Sequence, residues 1–142
     1  MTRVDIQSIE PNAYKAMFEL EQFIDQSSLS KETQELVRLR ASLINQCHFC
    51  IGMHTSAAEK LGIEKGKLEA LKAWPESALF NGKEKAILAM TDHVTELSSR
   101  HVPDDIYEPL KQYLSNSEIA QLIMLIVTIN AWNRIGVATA MA

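Results

Sequence analysis

Cys47, Cys50 and His54 stand at i, i+3 and i+7 in the stretch ELVRLRASLINQCHFCIGMH, which runs from Glu35 to His54. On a helix that spacing brings the three side chains to one face. Cys50 and His54 are then one turn apart, close enough for the imidazole to interact with the sulfur. If Cys47 lies at the helix start, unpaired backbone N–H groups there also favour a thiolate. Such surroundings lower a thiol pKa from about 8.5 into the range of roughly 3.5–7.5. A thiolate at neutral pH attacks a peroxide oxygen and becomes a sulfenic acid. A second thiol in reach condenses with it to a disulfide.

Other uses of the same residues compete with this one. A single C-x-x-C is also compatible with two small buried apolar side chains. Cys47, Cys50 and His54 are all good zinc ligands, and a fourth would come from Glu35, His48, His93 or His101. The sequence has no second C-x-x-C and no H-x-x-x-H pair to complete such a set. A thioredoxin fold would explain a redox C-x-x-C, but it needs βαβ strands. No segment alternates with period two for long enough to make one.

The elements that must position these residues read as helices. Pro11 opens a segment to about Gln26 whose apolar residues Tyr14, Met17, Phe18 and Phe23 fall roughly on one face. Ser30 is an N-cap for a helix from Lys31 to about Asn45, with Leu36, Leu39, Leu43 and Ile44 as its apolar stripe. A break at Asn45-Gln46 leads into a helix from about Cys47 to Leu61, capped by Gly62. A short helix over Ile63–Ala73 ends at Trp74-Pro75. Asn81 through Glu84 resembles a capping box, and Ile87, Met90, Val94 and Leu97 make the next helix amphipathic. Pro103 starts another helix through Leu114, and Ser115 through Glu118 is a full capping box before a final apolar helix. The prediction is an all-α fold, one compact bundle of six or seven helices.

At 142 residues the chain is one domain's worth, spanning 1–142, and needs no staple to bury a core. Its 46% apolar and 23% charged residues are ordinary globular usage. Fourteen basic against 18 acidic residues give a charge of −4, so the basic stripe of a nucleic-acid binder is missing. Residues 1–10 lack the build of a secretory signal, and the apolar run Ile119–Ile129 is shorter than the roughly 20 residues of a membrane span. That run predicts a buried helix or a subunit contact. A cytoplasmic protein with no membrane partner is expected, in a compartment where structural disulfides are rare.

Glu35, eleven residues, then Cys47-x-x-Cys50-x-x-x-His54 resembles the signature of the AhpD-like alkylhydroperoxidases, which belong to the carboxymuconolactone decarboxylase superfamily. The likeness continues through the Pro75/Phe80 loop, the Pro103-Asp104 helix start and the segment Ile129–Arg134, covering the chain from about Val4 onward. It implies an AhpD-like helical fold and a thiol-dependent peroxidase. Cys50 would be the peroxidatic cysteine and Cys47 the resolving one, with His54 and Glu35 forming a proton relay. It implies no metal, haem or flavin, a hydroperoxide substrate, a separate dithiol reductant of the lipoyl type, and a homotrimer or homohexamer. One position departs from the AhpD pattern. Phe49 stands where that enzyme has a second histidine, and His48, one residue earlier, would point about 100° away on a helix. Two rival readings keep the same residues. One is a redox sensor or disulfide-exchange protein without turnover, and the other a lactone decarboxylase-like enzyme using the same pocket.

The remaining candidates are assigned plainer roles. His93 reads as a partly buried structural histidine, and His101 is given no role. Arg38 and Arg40 flank the apolar stripe of their helix and read as a solvated or ion-paired face. Trp132, Asn133 and Arg134 are expected to serve packing or a subunit contact.

Overall fold

The computed structural model describes residues 3–142. Met1 and Thr2, the first residues of the mixed polar N-terminal segment, lie outside them. The helix starts follow from side chains that satisfy free backbone N–H groups. Ser30 Oγ accepts from Thr33 N at 3.1 Å and opens α3. Asn81 and Ser115 each close a capping box, with Glu84 and Glu118 reaching back to the cap backbone. In chain order the helices are α1 (Ile6–Ile9), α2 (Pro11–Asp25), α3 (Lys31–Asn45), α4 (His48–Lys60) and α5 (Lys65–Ala70). They continue with α6 (Gly82–Thr95), α7 (Leu97–Arg100), α8 (Asp104–Tyr107) and α9 (Asn116–Ala138). Two 3₁₀ segments, Leu71–Glu76 and Glu108–Gln112, follow α5 and α8. Among the described residues there is no strand, and the all-α expectation holds.

Two differences from the sequence reading have local causes. The helix expected from Pro103 to Leu114 splits, because Pro109 enters it and the chain tightens to 3₁₀ geometry. The short helix after Ile63 likewise runs on as 3₁₀ turns around Pro75, with Ala73 outside helical geometry.

α3 packs against α4, α6 and α9, so it is the element on which the molecule is assembled. One core cluster gathers Ile24, Val37, Ile87, Met90 and Leu110 around Ile119, Leu122, Leu125 and Ile126 of α9. A second places Leu36 and Leu39 of α3 against Ala58, Leu68, Leu71, Trp74, Phe80 and Leu88. Of the apolar run Ile119–Ile129, expected to be a buried helix or a subunit contact, one face is buried in the core and Val127 on another is exposed. α9 as a whole, at 23 residues, is long and apolar enough to cross a bilayer, but this face of it forms the protein core. α2 behaves differently. Ile24 is its one buried residue, and Phe18 and Phe23 are about half exposed. Its aromatic face is not in the core, so it is available to a site.

Candidate functional site

The cysteines are presented by a sharp turn between α3 and α4. Gln46 adopts the left-handed conformation at φ 54° and ψ 41°, and Cys47 N returns to Ser42 O at 3.1 Å. Cys47 thereby becomes the N-cap of α4, one residue outside the helix in which the sequence placed it, and Cys50 lies in the first turn. Cys47 and Cys50 are joined in a disulfide, and both are buried, at 2% and 4% exposure. Behind the turn, Asn45 Nδ2 donates to Asn130 Oδ1 at 2.9 Å and Asn133 Oδ1 at 3.0 Å, and Asn133 Nδ2 donates to Ser42 Oγ at 2.9 Å. These bonds tie the end of α3 to α9. Gly136 of α9 leaves room for the sulfurs. A Cβ there would fall 2.8 Å from Cys47 Sγ and 3.5 Å from Cys50 Sγ.

His54 and Glu35 meet across the α3–α4 interface, with His54 Nδ1 2.9 Å from Glu35 Oε2. The other oxygen, Oε1, accepts from Arg38 Nη1 at 3.1 Å. Burial pushes the Glu35 carboxyl up, but the hydrogen bond and charge of His54, together with Arg38, outweigh it. They hold the group below its ordinary value of 4.5. An ionised Glu35 only accepts hydrogen bonds, so Nδ1 of His54 carries the proton. Whenever the imidazole is in its neutral form, Nε2 is left as its acceptor. This is the arrangement a general base requires.

Arg38 extends the chain of contacts outward. Its Nη2 donates to Glu21 Oε2 at 2.8 Å, and Glu21 Oε1 accepts from Trp132 Nε1 at 2.9 Å. The ion-paired reading of Arg38 holds, but its side chain is buried instead of solvated. Arg40 is ion-paired as well and partly buried, gripping Asp92 with two nitrogens away from this site.

A cavity of about 390 Å³ opens beside these groups. Tyr14, Phe18 and Trp132 line it as one aromatic cluster, together with Phe49 and Met53 of α4 and with Cys50, His54, Arg38, Glu21, Gly136 and Met141. Cys50 and His54 face it; Cys47 and Glu35 lie behind them. The three rings pack edge-to-face or tilted, with centroids 5.3–5.9 Å apart. Phe49, at the position where AhpD carries a histidine, is part of the apolar wall. The residues singled out from spacing, Cys47, Cys50 and His54, thus converge with Glu35, which the family resemblance added. The other histidines do not. His48 is exposed, and His93 Nδ1 lies 2.9 Å from the backbone oxygen of His101, bridging α6 to the loop before α8. Among the described residues no three His, Cys, Asp or Glu side chains form a group that would hold a metal ion. Sequence reasoning missed Glu21, Tyr14, Phe18 and Gly136 as site residues and gave Trp132 to packing or a subunit contact.

Comparisons with known proteins identify the family and the fold. The model of the carboxymuconolactone decarboxylase family matches residues 11–93. YdfG, an uncharacterised protein of Bacillus subtilis (strain 168), is 38% identical over 136 residues, covering 96% of this chain and 92% of that one. A solved protein of unknown function from Agrobacterium tumefaciens, described as a candidate AhpD antioxidant defence protein, is 34% identical with a TM-score of 0.97. The match covers 100% of this chain and 97% of that one. The debrominase Bmp8 superposes with a TM-score of 0.83 over 94% of this chain and 72% of its own, at 20% identity, a likeness of fold alone. With a family model over more than half its length and a relative this similar along almost all of it, the chain belongs to the AhpD/carboxymuconolactone decarboxylase superfamily.

Proposed function

We propose that the protein is a thiol-dependent peroxidase that reduces hydroperoxides through a Cys47–Cys50 dithiol/disulfide cycle. The observation that carries this reading is the division of the pair: Cys50 forms part of the cavity wall beside His54, and Cys47 lies bonded to it from behind. A hydroperoxide in the cavity meets Cys50 first.

In the reduced protein, His54 Nε2 takes the proton of Cys50, and Glu35 stabilises the imidazolium through Nδ1. The thiolate attacks the terminal oxygen of ROOH. The O–O bond breaks, Cys50 becomes a sulfenic acid, and RO⁻ takes a proton from His54 and leaves as the alcohol. Cys47 then attacks the sulfenic sulfur, forming the disulfide and releasing water. A dithiol reductant, of the dihydrolipoyl type by the family resemblance, restores both thiols and is itself oxidised to a disulfide.

The test begins with reduced protein and one equivalent of hydroperoxide, read by intact mass. Wild type is expected to lose two hydrogens. Cys50→Ser should not react. Cys47→Ser should gain one oxygen and stop after a single turnover. With dihydrolipoamide present, wild type should turn over continuously and both variants should fall to background. Unimpaired steady-state turnover in both variants would sink the assignment. Oxidation to the disulfide without turnover against any dithiol would favour a redox sensor instead.

A further inference from the structure

We infer that the cavity selects a neutral, ring-bearing hydroperoxide, of the aryl-alkyl class, and discriminates against hydroperoxides that carry a carboxylate. This deepens the peroxidase reading above and rests on it.

Three properties of the walls point that way. The first is size. At about 390 Å³ the cavity lies in the range of small-organic-molecule sites, whereas a water molecule occupies about 30 Å³ of its liquid. Hydrogen peroxide would leave most of this space unfilled. The second is surface. Tyr14, Phe18 and Trp132 form one aromatic cluster in the lining, and Phe49 of α4 adds a fourth ring to it. Ring–ring contact at centroid separations of about 4.5–7 Å adds to simple burial. A flat apolar group held against these rings shares the cavity with Cys50.

The third property is charge, which separates this site from a general apolar pocket. Among the described residues, Arg38 is the one guanidinium or side-chain ammonium in the lining. Glu21 takes its Nη2 at 2.8 Å and Glu35 its Nη1 at 3.1 Å. Two carboxylates on one guanidinium leave a net negative charge with His54 in its neutral, base form. A substrate carboxylate would have to displace Glu21 to reach a cation, and otherwise enters an apolar cavity unpaired. The same negative charge does not oppose a neutral hydroperoxide. When the O–O bond breaks, the aryl-alkyl group leaves as a neutral alcohol, so discrimination acts on entry and binding, before the redox step.

The experiment measures the rate of disulfide formation in pre-reduced protein by rapid quench and intact mass. Three probes are compared: hydrogen peroxide, cumene hydroperoxide, and cumene hydroperoxide bearing a para-carboxylate. Cumene hydroperoxide is expected to react at least about tenfold faster than either of the others, as cavity filling and one net charge at short range would give. Phe18→Ala, at a half-exposed position, should narrow the gap between cumene hydroperoxide and hydrogen peroxide. Glu21→Gln should narrow the gap between cumene hydroperoxide and its carboxylate. Equal rates for all three probes in wild type, or gaps that neither variant changes, would overturn the inference and leave the peroxidase reading standing. Failure of every probe to oxidise the dithiol would overturn both.

Discussion

Glu35 is buried yet held as a carboxylate, because His54 approaches one of its oxygens and Arg38 the other. Its pKa in the folded protein lies below 4.5, the value expected for the unfolded chain. The unfolded state therefore takes up the proton first as pH falls. The stability Glu35 contributes is complete above the unfolded value and is lost as pH drops through the depressed folded one. Glu35→Gln removes the charge but keeps the shape. We expect it to cost about 1.5–3 kcal/mol at pH 7, the usual range for a hydrogen bond to a charged group. Urea unfolding at pH 7 and at about pH 3 checks this: the gap between wild type and variant should shrink at the lower pH. A gap of the same size at both would show that the ionised form contributes nothing. Cys47, Cys50 and His54 were legible in the sequence because their spacing brings them to one face of a single helical stretch, whereas Glu35, on the helix before, was placed beside His54 only by the family resemblance. Glu21, Tyr14, Phe18 and Trp132 were not legible, since α2 and α9 meet from opposite ends of the chain and periodicity says only that a residue is apolar. Gly136 did leave a trace: a glycine inside a long apolar helix costs about 1 kcal/mol against alanine and asks for a packing reason. The two sulfurs beneath it are that reason.

Between elements, the second buried ion pair matters more for the scaffold than for the site. Asp92 of α6 accepts from Arg40 Nε at 2.8 Å and Nη2 at 3.0 Å, and from Trp74 Nε1 at 3.0 Å. Arg40 Nη1 also donates to the Leu71 carbonyl at 3.0 Å. One carboxylate thus joins α3, α6 and the 3₁₀ segment between them. Asp92→Ala would leave the mostly buried Arg40 uncompensated, and we expect a loss of about 3–5 kcal/mol in chemical denaturation. A loss under about 1 kcal/mol would mean that water screens the pair as it does on a surface. Helix starts were the most legible part of the fold, because Ser30, Asn81 and Ser115 act through residues three places on. α1 and α7, at four residues each, are too short to show a period. The division after α8 had its signal in Pro109, and the helical periodicity on either side concealed it.

For the molecule as a whole, the proposed cycle demands a fold that does not depend on the bond it makes and breaks. Neither apolar cluster contains Cys47 or Cys50. The clusters are organised by α3, α6 and α9, and the cysteines occupy the turn between α3 and α4. A disulfide between residues three apart also closes a very short loop, and chain-entropy stabilisation grows with loop length. On that relation the bond is worth about 2 kcal/mol, against about 3 kcal/mol for a 15-residue loop. For a domain of this size, that corresponds to a fall in Tm on reduction of no more than roughly 8 °C. Thermal scans of the oxidised and fully reduced protein, followed by far-ultraviolet circular dichroism, should therefore show the same helical content and closely spaced transitions. A collapse of helicity on reduction, or a much larger fall in Tm, would make the disulfide a structural staple. That outcome would count against the peroxidase at its root, since every turnover would then require partial unfolding of the scaffold that holds His54 and Glu35 in place.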